Sequence, residues 1–176
     1  MANHQPVLDV LVQAMITEQD GYDFYVEAAK RVGDSKGKAM FNGLANDEVG
    51  HLQIIQNEYA RVNAGKALGD LDTARREHPA QPSMKLFPEK SKLSSMLNGA
   101  TTDEGALKVA LEFELKGYQM YDAAAKSAAD KNAAQIFAYL AKQENHHYEL
   151  LQKTQQYLTD KGAWFFDELE KPMFEG

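Results

Sequence analysis

Apolar residues recur every three or four positions through four long stretches of the chain, with polar residues filling the intervals. This is the pattern of amphipathic helices. The first stretch covers about 6–31, opens near Pro6 in a position proline favours, and carries an inward stripe of Leu11, Ala14, Met15, Glu18, Tyr22, Tyr25 and Ala29. Val32-Gly33-Asp34-Ser35 then supplies a glycine stop and capping residues, so a tight turn is expected there. A second helix is expected over roughly 36–62. Residues 63–100 break the periodicity with Gly65, Gly69, Pro79, Pro82, Pro88 and Gly99, and within them only 71–77 reads as a short helix. A third helix opens at the capping box Thr101-Thr102-Asp103-Glu104 and extends to about Ala129. The fourth covers about 131–159 and stops before Gly162, followed by a tail rich in aromatic residues (Trp164, Phe165, Phe166, Phe174) expected to pack on the helices or in an oligomer interface.

Two of these stripes are interrupted in the same way. Asp47-Glu48-Val49-Gly50-His51 and Gln143-Glu144-Asn145-His146-His147 each place a Glu and a His three residues apart, hence on one helical face. In the first, Phe41, Leu44, Ala45, Leu52 and Ile55 share that face. A carboxylate or imidazole in such a place needs a partner or a metal, because burying it alone costs several kcal/mol. The two segments are copies: adding 96 maps Phe41 to Phe137, Leu44 to Leu140, Glu48 to Glu144, His51 to His147, Glu18 to Glu114, Tyr22 to Tyr118 and Tyr25 to Tyr121. The chain is therefore a duplicated helical hairpin. Glu18 and Glu48 lie equally far from residue 33, and Glu114 and Glu144 equally far from residue 129 beside the expected cap Asp130, so each pair meets at one level across its turn.

Composition narrows the chemistry. At 176 residues the chain fits a single domain, 1–176, divided into a hairpin (5–62), a crossover (63–100), a second hairpin (101–160) and a tail (161–176). A net charge of −7 argues against nucleic-acid binding. No run of 18 apolar residues is present and no secretory signal is seen, so no membrane association and a cytoplasmic location are expected. The absence of cysteine excludes disulfides, zinc–thiolate and iron–sulfur centres from these residues. What remains is Glu18, Glu48, His51, Glu114, Glu144 and His147: four carboxylates and two imidazoles, a set that two carboxylate-bridged first-row metal ions would use completely. Carboxylate with imidazole suits iron or manganese.

These motifs resemble the ferritin-like di-iron carboxylate superfamily, whose mark is Glu plus Glu-x-x-His from each helix pair. With His in both halves the chain is more similar to rubrerythrins and bacterioferritins than to ferritins lacking the second His. The resemblance spans roughly 5–160. It implies an all-α, ferritin-like four-helix bundle of two antiparallel hairpins joined by a long crossover. It further implies Glu18 and Glu114 as terminal metal ligands, Glu48 and Glu144 as bridging ligands, and His51 and His147 as one nitrogen ligand per metal. Two iron ions per chain are expected, with manganese or zinc as alternatives.

Two departures stand out against rubrerythrins. The rubredoxin-like domain of the full-length proteins has no counterpart, so an external electron donor such as a rubredoxin is expected. Their additional glutamate one turn from the third-helix ligand is replaced by Gly117, and Glu112 is offset by about 200°. The implied activity is non-haem di-iron reduction of hydrogen peroxide to water, in a peroxidase acting against oxidative stress. The alternative is an iron-binding ferroxidase that uses oxygen or peroxide for iron handling or storage. A homo-oligomer, a dimer, is expected.

The remaining candidates read more simply. Tyr22, Tyr25, Tyr118 and Tyr121 lie on or beside the stripes, and Tyr25 and Tyr121 are best placed to hydrogen-bond a carboxylate from within the core. His146 lies about 100° from His147 and is expected to be exposed, as are His4 and His78. Glu27, Asp47, Glu149 and the other acids read as surface charge, and Met15 and Met120 as core.

Overall fold

The computed structural model describes residues 5–76 and 102–164. They form five helices: α1 (Gln5–Arg31), α2 (Ser35–Asn63), α3 (Leu71–Arg76), α4 (Asp103–Ser127) and α5 (Lys131–Lys161). The four long ones are those the periodicity predicts, with ends shifted by a residue or two. Asp34 caps α2, its carboxylate accepting the Lys36 and Gly37 N–H groups, and Asp130 caps α5 through Asn132 and Ala133. The cap of α4 is Thr102, which accepts from Gly105 N at 3.1 Å; since α4 begins at Asp103, Glu104 is too close to the cap to close the expected box. Gly162 ends α5 in the left-handed region at φ 65°.

α1 packs along α2, and α4 along α5, in an all-α four-helix bundle. The direction of the hairpins follows from their ends. At one end the start of α1 (Pro6, Val7, Val10), the residues after α2 (Ala67, Leu68) and the α4–α5 turn (Ala128, Ala129, Asp130) line a common hollow, and Asn132 donates to the Leu68 carbonyl. At the other end Trp164 packs on Gly37 and Phe41 and donates to Asp103 at the start of α4. α2 therefore ends at one end of the bundle and α4 begins at the other, about 37 Å away along the 25 residues of α4. Most of the crossover lies outside the described residues, as do His4, His78, Thr101 and the tail beyond Trp164. Its first part is anchored by Glu58 of α2, which is fully buried and accepts the Gly69 N–H at 2.8 Å, and by Asn57, which donates to the Ala74 carbonyl. No described helix is long and apolar enough to cross a membrane.

The core is two apolar clusters separated by a polar layer. One gathers Leu11, Ile55, Tyr121, Phe137 and Leu140; the other Phe24, Tyr25, Phe41, Leu44, Leu107 and Trp164. Between them stand the acidic and imidazole groups.

Candidate metal centre

All six residues singled out by the repeat meet in this layer, and none is more than 1% exposed. α1 brings Glu18, α2 brings Glu48 and His51, α4 brings Glu114, and α5 brings Glu144 and His147. His51 Nδ1 lies 3.1 Å from Glu18, 3.5 Å from Glu48 and 3.3 Å from Glu144. His147 Nδ1 lies 3.5 Å from Glu114 and 3.8 Å from Glu48. The two imidazoles stack with centroids 5.6 Å apart.

Two overlapping groups result. Glu18, Glu48, His51 and Glu144 offer ligand atoms all within 4.8 Å of one another, and so do Glu48, Glu114, Glu144 and His147. Glu48 and Glu144 belong to both. Both oxygens of Glu48, Oε2 of Glu114 and Nδ1 of His147 have no hydrogen-bond partner, although each is buried. Buried polar atoms left in this state are costly, and cations that displace the protons held at the two groups would satisfy them. The donor set, oxygen and imidazole nitrogen without sulfur, fits iron.

The outer contacts hold these groups in place. Tyr121 donates to Glu18 Oε1 and Tyr25 donates to Glu114 Oε1, so each hairpin's tyrosine braces the other's carboxylate. Burial and the neighbouring carboxylates push both phenols well above their usual range, which keeps them protonated as donors. In the metal-free chain the cluster retains protons. Burial and the Glu18 charge push Glu48 well up, and burial with the Glu114 and Glu18 charges does the same to Glu144. Burial alone would lower His51, but the Glu18 charge and contacts with Glu144, Glu18 and Glu48 hold it well above its usual value. Burial opposes protonation of His147 too, yet the Glu114 charge and the Asp47 hydrogen bond hold it at about 10. Burial would raise Glu18, but the proton held on neighbouring Glu48, hydrogen bonds with His51 and Tyr121 and the His51 charge keep it low.

Sequence reasoning misplaced several residues. Asp47 is not surface charge: it is 3% exposed and accepts from His147 Nε2 at 3.1 Å. Its side chain is turned from the Glu48 face toward α5, and its seven-residue spacing from buried Met40 and Ile54 is the signal that would have found it. Glu58 was likewise counted with the surface acids, although it continues the stripe of His51, Ile55 and Val62. His146 is half-buried, as are Tyr22, Tyr118 and Met120, the last three packing against the core. Glu27 and Glu149 are outside, the former pairing with Lys30 and Arg31.

The glycines at 21 and 117 are equivalent in the repeat, and each admits a carboxylate against bare backbone. A Cβ on Gly117 would stand 2.7 Å from Glu144 Oε2, and one on Gly21 3.1 Å from Glu48 Cδ and 2.8 Å from the Phe113 ring. The space that an extra glutamate would need at 117 is thus filled by Glu144 itself. Gly117→Ala is expected to destabilise the chain by about 1–3 kcal/mol through overpacking, read as a fall of roughly 2–12 °C in Tm. Gly33→Ala, with nothing within 4 Å of its Cβ, is the neutral control.

A four-helix bundle whose interior gathers Glu and Glu-x-x-His from each hairpin defines the ferritin-like class of carboxylate proteins. Within that class, the rubrerythrin family model matches residues 9–155, and the chain belongs to the rubrerythrin family. Family membership implies a di-iron site, and the Glu/His groups are where metal would be held. Among solved structures, a hypothetical protein from Pyrococcus furiosus is similar at a TM-score of 0.61 and 20% identity, covering 87% of this chain and 90% of that one, a likeness of fold. No curated protein matches the sequence.

Proposed function

We propose that the chain holds two iron ions in this cluster and reduces hydrogen peroxide to water, drawing electrons from an external donor protein. Glu18 and Glu114 would each bind one ion, Glu48 and Glu144 would bridge, and His51 and His147 would give one nitrogen to each. The observation that carries the reading is the sharing of Glu48 and Glu144 between two otherwise separate groups of ligand atoms. Four carboxylates also match the charge of two divalent cations.

When bound, the iron pair supplies two electrons and Lewis acidity for cleavage of an O–O bond. The chain's own residues set the conditions. Tyr121 and Tyr25 fix Glu18 and Glu114, so the terminal carboxylates are oriented before metal arrives. The apolar clusters on either side exclude bulk water. Reduction of one peroxide consumes two electrons and two protons and yields two waters, and with no cysteine in the sequence these residues carry no thiolate iron centre to deliver the electrons. An external donor, such as a rubredoxin, fits that requirement.

Metal analysis of protein from iron-supplied cells, followed by stopped-flow absorbance of the anaerobically reduced form with peroxide or oxygen, tests the proposal. About two irons per chain and faster oxidation by peroxide are expected. Uptake of many irons per chain, with a large shell rather than a dimer on size exclusion, would replace it with iron storage; manganese or zinc in the isolated protein would replace the metal.

A further inference from the structure

None of the six clustered side chains is more than 1% exposed, so no ion reaches them unless something moves. The two apolar clusters lie on either side of the polar layer and close it along the bundle. Where α2 meets α5, Asp47 and His147 close it, joined by a hydrogen bond of 3.1 Å. The side where α1 meets α4 is closed differently. There the Phe113 ring of α4 and the Glu48 carboxyl group both crowd the point where Gly21 of α1 lacks a Cβ, which would stand 2.8 Å from Phe113 Cε1 and 3.1 Å from Glu48 Cδ.

Phe113 is half-buried and Glu48 fully buried, so the cover over this shared carboxylate is one side chain thick. The ring rests on the bare backbone of Gly21, with Tyr25 6.5 Å away and nearly perpendicular to it. In the first half of the repeat the equivalent position is Thr17, whose hydroxyl lies 3.1 Å from the Gln13 carbonyl and 3.8 Å from Met120 Sδ across on α4. Displacing Thr17 or Asp47 breaks a hydrogen bond. Displacing the Phe113 ring forfeits only contact, and side chains open to solvent turn quickly. We propose that Phe113 is the gate of the cluster: its ring swings off Gly21 to open a path from solvent to Glu48, and that swing sets how fast divalent cations enter and leave. The path ends on a carboxylate common to both groups, so either position is filled through it. The inference rests on the di-metal reading above.

Anaerobic stopped-flow mixing with Co(II), followed by removal of the bound ion with excess EDTA, tests it without reference to activity. Phe113→Ala is expected to speed uptake and release alike, each by roughly tenfold, so that the Kd from calorimetry is unchanged. Phe113→Trp is expected to slow both. Ile136→Val, which trims the core away from the ring, is the control: it lowers Tm and is expected to leave both rates as they are. A gate moves the two rates together, whereas damage to the site weakens Kd, and a generally looser fold would make Ile136→Val act as Phe113→Ala does. Rates unchanged in both Phe113 variants, a weakened Kd in Phe113→Ala with uptake unchanged, or equal acceleration by Ile136→Val would overturn this inference alone. Failure of the unaltered chain to bind Co(II) would overturn the di-metal reading, and this inference with it.

Discussion

If the cluster holds the two irons proposed, Glu48→Ala is expected to empty both positions, whereas His147→Ala is expected to lose one ion. The asymmetry follows from geometry: Glu48 offers ligand atoms to both groups, while His147 serves one. Two divalent cations held by groups that share Glu48 and Glu144 would repel one another, so loss of a shared carboxylate would remove both a ligand and screening charge. The fold does not depend on Glu48 in the same way. Burial and the Glu18 charge already oppose its ionisation in the metal-free chain, so the isosteric Glu48→Gln is expected to leave metal-free Tm equal to or above the parent's. Metal content after exhaustive dialysis, paired with thermal unfolding, checks both halves of the claim. Unchanged stoichiometry in Glu48→Ala would remove Glu48 as a ligand.

The second large effect is that of metal on stability, and it grows with pH. His147 titrates near 6.5 in the unfolded chain and at about 10 in the folded, metal-free one. Its contribution to stability is therefore complete below pH 6.5 and lost as pH rises toward 10. Glu48 and Glu144, also raised, act in the same direction from the ordinary carboxylate range upward. Glu18, held low, acts the other way, but only in acid. Metal-free protein is thus expected to lose Tm steadily from pH 6 to pH 9. Metal displaces the same protons, so its binding releases them and tightens as pH rises. At a free metal concentration 100 times Kd, each ion adds about 2.7 kcal/mol, and two together raise Tm by roughly 10–20 °C. Thermal scans with and without Fe(II) under anaerobic conditions should show the two curves diverging toward pH 9. Curves that stay parallel would mean that the cluster's protons and the metal do not compete.

The six clustered residues were legible because they violate the pattern around them: a Glu and a His inside an apolar stripe, repeated 96 positions later, leave few physical alternatives. The tight turns were legible for a related reason, since equal distances from residues 33 and 129 put each pair of carboxylates at one level. Asp47 was harder to see because it lies beside the Glu48 face, and a helix in a bundle meets two neighbours, so a second buried face belongs to α5. Neither a seven-residue spacing nor an Asp before a Glu announces itself when one stripe is sought. Glu58 escaped notice because one of its contacts is to the backbone of Gly69, which no side-chain pattern encodes. The crossed tyrosine contacts were half legible. Spacing placed Tyr25 and Tyr121 in the core, but which carboxylate each would reach depends on how the hairpins face each other.

That crossing has a consequence for what the smallest working unit is. Tyr25 braces Glu114 and Tyr121 braces Glu18, and each group of four ligand atoms includes one carboxylate from the opposite hairpin. A half-length polypeptide would own no complete group, and would gain one only by meeting a twin, at which moment the twofold pair would have both. The present chain is such a pair made covalent. Joining the twins in one polypeptide frees them to differ at single positions, as Asp47 and Gln143 do, a freedom that two identical molecules never have.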